Sequence, residues 1–201
     1  MRCLMCGKDM RYGSLKDILY GDDVLCEACR NTWLKKRIVC AIDGVRVQSD
    51  YVYNKAFSQC LIQFKECGDE ALKDAFLWGV RKKLKRRYKG YTLLLLPSAK
   101  EKVEQRGFLH LHEMFSCLGL EMLDAFEKTV NISQKTLSAE QRSEMKHTIR
   151  LKEGIQLPKK IVLVDDTVTT GATLSGAISC LEKRNHVIEA YCVSANHTWI
   201  R

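Results

Sequence analysis

Hydrophobic positions in this chain change period several times, and the changes mark out its elements. Ile38-Val39-Cys40-Ala41-Ile42, then Val45 and Val47, then Tyr51-Val52-Tyr53 are β-branched and aromatic runs broken by Asp43-Gly44 and Ser49-Asp50, which predicts short strands joined by turns. From Asp69 to Lys89 the period lengthens. Leu72, Phe76, Val80 and Leu84 recur every four residues with Ala75 and Gly79 beside them, which predicts a helix. Thr92–Leu96 reads as a buried strand stopped by Pro97, and Phe108, Leu111, Phe115 and Leu118, with Met114 alongside, give a second helical face. Ser138-Ala139-Glu140-Gln141 fits a capping box and predicts a helix running to about Lys146. Ile161–Val164 is a continuous apolar strand. It is followed by a polar loop, a helix with Leu174, Ala177, Ile178 and Leu181 on one face, and a closing strand over Val187–Val193. Strand–helix–strand units of this kind imply an α/β fold with a parallel sheet and flanking helices.

Size and composition narrow the class. The chain has 201 residues, 46% hydrophobic and 28% charged, with only two prolines, which excludes a wholly disordered chain and Pro-rich linkers. No purely apolar run exceeds the five residues of Ile38–Ile42, and the first residues hold no apolar stretch of signal-peptide length. The expectation is a cytoplasmic protein without a membrane span. Lys plus Arg total 33 against 24 for Asp plus Glu, a net +9 that favours polyanionic partners such as nucleic acid or phosphorylated ligands. Much of it is concentrated in Arg81, Lys82, Lys83, Lys85, Arg86, Arg87 and Lys89. That run is either a solvated helix end matched to the helix dipole or a surface for phosphate backbones.

Cysteine usage is uneven. Cys3, Cys6, Cys26 and Cys29 are spaced C-x2-C-x19-C-x2-C. In a cytoplasmic chain such pairs read as metal ligands or redox sites, and two pairs at this spacing fit a zinc ribbon better than a redox dithiol. Four thiolates complete a tetrahedral zinc site and leave no open position, so the ion is expected to be structural. A stretch of some 30 residues has no core of its own, so the metal supplies much of its folding energy. The reading divides the chain into a zinc-binding module over 1–37 and an α/β domain over 38–201. The other six cysteines show no paired spacing and read as small buried hydrophobes.

The chemistry is concentrated after the strand at Ile161–Val164. Asp165 and Asp166 fall at its C-terminal end, where parallel sheets bind ligands. Two adjacent acids there must be solvated, paired or bound. The segment Thr167–Gly171 then opens a helix whose backbone N–H groups and dipole suit an anion. Gly171 lets the backbone approach a phosphate closely, and the hydroxyls of Thr167, Thr169, Thr170 and Thr173 add donors. Acceptors for sugar hydroxyls thus lie beside donors for a phosphate, as a ribose 5-phosphate needs. A Walker B strand would require G-x-x-x-x-G-K-[ST], which the sequence lacks. The five histidines, His110, His112, His147, His186 and His197, are scattered and read as surface or capping residues, which leaves no obvious general base.

The Ile161–Leu174 segment resembles the ribose-phosphate signature of type I phosphoribosyltransferases. The order of motifs over nearly the whole chain resembles the ComF family: the four-cysteine start, Leu61-x-x-Phe64-Lys65-x-x-Gly68-Asp69, the strand ending at Pro97, Gln105-Arg106-Gly107-Phe108, and Gln134-x-x-Leu137-Ser138-x-x-x-Arg142. The resemblance implies a four-cysteine zinc ribbon followed by a type I phosphoribosyltransferase-like parallel sheet. It implies that Asp165 and Asp166 hold ribose hydroxyls, and that Thr167, Val168, Thr169, Thr170, Gly171 and Thr173 hold the 5-phosphate. Lys65 and Arg106 are candidates for a pyrophosphate, and Arg81, Lys82, Lys85 and Arg86 for a DNA phosphate. Mg²⁺ would arrive with phosphoribosyl pyrophosphate and need few protein ligands. The sequence departs from the family pattern at Ser98-Ala99 after Pro97, at Leu109 and at Met145, around the pyrophosphate and acceptor sides. The implied role is a competence factor acting on incoming single-stranded DNA with a helicase-like ATPase, recruited to the inner face of the membrane through partners. The alternative is an active phosphoribosyltransferase.

Overall fold

The computed structural model describes residues 2–10, 23–129, 148–181 and 186–200. The capping-box helix expected from Ser138, and the Gln134–Arg142 motif, lie outside the described residues. Strands β1 (Lys35–Ile42) and β2 (Val45–Val52) form a hairpin in which Ile42 faces Val45. The two turn residues, Asp43 at φ 47° and Gly44 at φ 76°, adopt the left-handed pair that matches strand twist in a two-residue turn. After β3 (Thr92–Leu95) and the two-residue β4 (Met122–Leu123), an antiparallel ribbon of β5 (Phe126–Thr129) and β6 (Thr148–Leu151) stands apart from the main sheet. Strands β7 (Lys160–Val168) and β8 (Val187–Ala195) complete a six-stranded sheet in the order β1-β2-β8-β7-β3-β4. Within that sheet only the β1–β2 pair is antiparallel.

This order creates the site. β7 lies between β3 and β8; the chain leaves β3 toward β4 on one side and leaves β7 toward β8 on the other. The crevice beyond the C-terminal ends of β3 and β7 is therefore the topological switch point, where such sheets take ligands. The central strands are apolar on both sides: Leu93, Leu94, Ile161, Val162 and Leu163 are fully buried. They read as continuous hydrophobic runs because helices cover both faces.

The helices are α1 (Glu27–Asn31), α2 (Lys55–Lys65), α3 (Arg81–Arg87), α4 (Lys100–Arg106), α5 (His110–Ser116) and α6 (Ala172–Leu181). The helix expected over 69–89 is broken into a 3₁₀ turn at Glu70–Ala75 and α3. Its four marker residues are all buried, so the burial pattern holds while the continuity does not. The break includes Gly79, where a Cβ would stand 3.2 Å from the Tyr51 hydroxyl; the backbone passes too close to the sheet for a regular helix bearing side chains. Among the described residues, no helix is long and apolar enough to cross a membrane.

The cysteine-bearing segment is packed into the same core. Trp33 lies 4.7 Å from Phe57, 5.5 Å from Tyr51 and 5.7 Å from Phe76, centroid to centroid. Asn54 caps α2 by accepting from the Phe57 amide and donates to Thr32 O, tying the exit of the segment to that helix. Arg30 donates to both oxygens of Asp23 and to Ala75 O, with its guanidinium 4.6 Å from the Trp33 ring. Replacing Trp33 with Ala is expected to cost about 3–5 kcal/mol in urea-induced unfolding, the range for a fully packed large aromatic.

Candidate functional site

The two acids do not leave the strand. β7 continues in register with β8 through Val168, so Asp165 pairs with Cys192 and Thr167 with Ser194. This corrects the loop expected from Thr167: Thr167 and Val168 are strand residues, and only Thr169, Thr170 and Gly171 connect to α6. Val168 is buried, and the Thr167 hydroxyl is held 2.8 Å from that of Ser194. Thr173 lies half-buried in the first turn of α6.

The two carboxylates lie close together but have different partners, which gives them different environments. Asp166 is 7% exposed. Its Oδ2 accepts from Lys65 Nζ at 2.5 Å, from the last residue of α2, and lies 2.9 Å from His110 Nε2 at the start of α5. His110 Nδ1 lies 2.9 Å from Arg106 Nη1, and Arg106 Nε donates to Lys65 O at 2.6 Å. The arrangement fixes the imidazole proton. Arg106 can only donate, so Nδ1 accepts and Nε2–H donates to Asp166. Burial pushes the His110 pKa down, which keeps the ring in that neutral form. Burial also opposes the Asp166 charge, but the His110 hydrogen bond and the Lys65 ammonium outweigh it and hold the carboxyl well below its usual range.

Asp165 is partly exposed and keeps the opposite character. Burial first, then the adjacent Asp166 charge, pushes its pKa up to about 7. Its Oδ1 accepts from the Asp166 amide at 2.9 Å. His110, Asp165 and Asp166 place ligand atoms within 4.8 Å of one another, a spacing that could hold a cation, but Lys65 already supplies the positive charge on Asp166. A cavity of about 320 Å³ opens beside this cluster between Pro97-Ser98, His110 and the β5–β6 ribbon.

The Thr169–Gly171 connection is held by residues distant in sequence. Gly171 has φ 83°, and a Cβ there would stand 2.7 Å from Ile42 Cδ1, so both conformation and space require glycine. The Trp199 indole N–H donates to Thr169 O at 2.7 Å and pins the loop from its far side.

At the other end of the chain, Cys3, Cys6, Cys26 and Cys29 bring their sulfurs within 4.8 Å of one another. Cys3 N donates to Lys8 O and Leu4 N to Val24 O, which closes two backbone turns around the sulfurs. Burial opposes ionisation of Cys3, but contacts with backbone N–H groups of Cys26, Cys6 and Met5 bring its thiol down to about 7. Cys26 and Cys29 are pushed up, by burial first and then by neighbouring sulfurs. Four thiols this close cannot all ionise without a cation between them, so the donor set fits one metal ion.

Of the sequence candidates, Lys65, Arg106, Asp165 and Asp166 converge on one cluster. The Arg81–Lys89 run does not join them. Lys83 is paired with buried Asp50 at 2.9 Å, and Arg87 with Glu189 at 2.6 Å. Glu189 lies three residues before Cys192, the partner of Asp165, which puts Arg87 about 10 Å toward the opposite end of the sheet. His110 corrects the reading of scattered surface histidines: it is 4% exposed and central. Its one sequence signal is its position four residues after Arg106. Trp199 carried none.

Asp165 yields a pH prediction. Its folded pKa of about 7 exceeds the ordinary 3.8, so stability is lost as pH rises through that window while Asp165 ionises beside Asp166. Asp165→Asn keeps the acceptor for the Asp166 amide and removes the charge. It is expected to raise the thermal midpoint above pH 7, by about 2–4 °C per kcal/mol relieved, with no gain near pH 4.

No family model matches the chain. Competence protein ComFC of Streptococcus pneumoniae is 28% identical over 216 aligned residues, covering 91% of this chain and 94% of that protein. Competence protein ComFC of Bacillus subtilis is 31% identical over 144 residues, covering 67% of this chain and 57% of that protein. Among solved structures, a hypoxanthine phosphoribosyltransferase from Staphylococcus aureus aligns with TM-score 0.43 at 14% identity, covering 64% of this chain and 66% of that one. Near full-length similarity to the first relative, with an N-terminal four-cysteine cluster joined to a mostly parallel α/β sheet, fits the ComF family.

Proposed function

We propose that this chain is a competence factor for natural transformation that acts in the cytoplasm on incoming single-stranded DNA, with a helicase-like ATPase as partner, through a ribose-phosphate pocket. The carrying observation is the junction of Asp165 and Asp166 with the Thr169–Gly171 loop at the switch point of the sheet. Asp165 is partly exposed and can accept from a ribose hydroxyl. Asp166 is held ionised from behind by Lys65 and His110, which sets the orientation of both. Thr169, Thr170 and Gly171 offer N–H and hydroxyl donors to the phosphate on the next turn. The similarity to two proteins described as competence proteins supports the process. Residue roles follow the resemblance: Thr167 and Val168 act from the strand and Thr173 from α6.

Phosphoribosyl transfer is the less favoured reading. Lys65 and Arg106, the candidates for a departing pyrophosphate, are already committed to Asp166, His110 and the backbone of α2. Mg²⁺ belongs to the ligand in this scheme, where it would offset the charge of the diphosphate. Zinc in the four-cysteine cluster serves folding, because four thiolates leave no position for a substrate.

Calorimetric titration with Mg²⁺–phosphoribosyl pyrophosphate tests the pocket. The native protein is expected to bind, and Asp165→Asn/Asp166→Asn to lose at least about tenfold in affinity, as for the loss of a hydrogen-bonded charge. Equal binding by both would remove the pocket from the proposal. For the metal, elemental analysis is expected to return one zinc per chain and Cys3→Ser/Cys6→Ser to abolish it; a folded, metal-free native protein would contradict the assignment.

A further inference from the structure

Beside the phosphate loop lies a second recess of about 1060 Å³, lined by Lys36 and Arg37 of β1, Arg46 of β2, Thr169 and Thr170, and Trp199. No acidic residue is among the described residues that line it. All three cations are exposed. Arg37 reaches only the neutral Gln48 Oε1 at 3.5 Å, and neither Lys36 nor Arg46 has an acidic partner among the described residues. The spacing is that of a track. Arg46 stands opposite Ala41, five residues along β1 from Lys36, or about 17 Å. That exceeds the reach of one phosphate group and suits a repeating backbone. At the end of the track the indole of Trp199 is fixed by its bond to Thr169 O, so a partly exposed ring is presented with little freedom left to lose.

Cations along a groove with a fixed aromatic at one end are the physical requirements of a single strand: counterion release on the backbone and stacking on a base. The rival surface lacks the second element. On α3 two cations are neutralised by Asp50 and Glu189, Tyr88 is buried, and the Tyr91 ring is met by Lys160 at 5.7 Å.

We infer that single-stranded nucleic acid runs along the open edge of β1, with its backbone on Lys36, Arg37 and Arg46 and a base on Trp199, and reaches the site through Thr169 and Thr170. The inference rests on the competence reading and adds the path of the strand. The recess shares two residues with the phosphate loop, so the strand arrives at the pocket from the β1 side rather than from α3.

The test is fluorescence anisotropy of a labelled oligothymidylate with the full, metal-loaded chain across a salt series. Lys36→Glu/Arg37→Glu/Arg46→Glu is expected to weaken binding at least about tenfold at low salt and to flatten the slope of log affinity against log salt by about 2. Trp199→Ala is expected to weaken it roughly tenfold, while Trp199→Phe, which retains a ring, keeps most of the affinity. Thermal midpoints of the variants, read in parallel, show that the fold is intact. Native binding that is unchanged in the triple variant overturns the path and leaves the competence reading standing. Loss confined to Lys82→Glu/Lys85→Glu/Arg86→Glu moves the strand to α3. Absence of binding by the native chain at low salt removes the DNA reading and the path together.

Discussion

The ion pair between Lys65 and Asp166 joins residues 101 positions apart and organises the whole active end of the molecule. Lys65 ends α2, Asp166 lies on the central strand, and His110 and Arg106 complete a closed ring of donors and acceptors through α5 and α4. A buried carboxylate is tolerable only when its charge is met, and here it is met by an ammonium and a neutral imidazole rather than by water. Removing either partner leaves an uncompensated charge in the core. The same pair decides what Asp165 can be. Burial first, and then the fixed negative charge of Asp166, makes its neighbour ionise reluctantly, with a pKa pushed up to about 7.

This division of labour explains how two identical side chains serve different ends. One is a buried anion tied to two helices; the other is partly exposed and accepts from the backbone between them. Their partners separate them: Lys65 and His110 meet Asp166, while Asp165 accepts from the Asp166 amide.

Much of this was legible in the chain. The continuous apolar runs at Thr92–Leu96 and Ile161–Val164 marked central strands because nothing but burial on both faces tolerates them, and the cysteine spacing marked the cluster because only a tight turn closes two sulfurs on one point. Less was legible where long-range contact overrides local pattern. The periodicity from Leu72 to Leu84 recorded burial faithfully but could not show that Gly79 passes against Tyr51. The polar character of Asp165 to Thr167 concealed a strand, since pairing with β8 satisfies the backbone whatever the side chains are. His110 lay hidden because a lone histidine has no pattern, and its meaning comes from the carboxylate 56 positions later.

The sheet order also governs how the molecule comes to exist. Its two outer pairs, β1–β2 and β3–β4, come first in sequence, and the strands that join them, β7 and β8, come last. During synthesis the open edges of β2 and β3 must wait for partners about 70 to 140 residues downstream. Pairings so distant in sequence form slowly, and an unpaired edge is a template for pairing with another chain. The two outer strand pairs are thus separate fragments until the final βαβ unit is inserted between them, and for that interval the growing chain has no crevice at the end of β3.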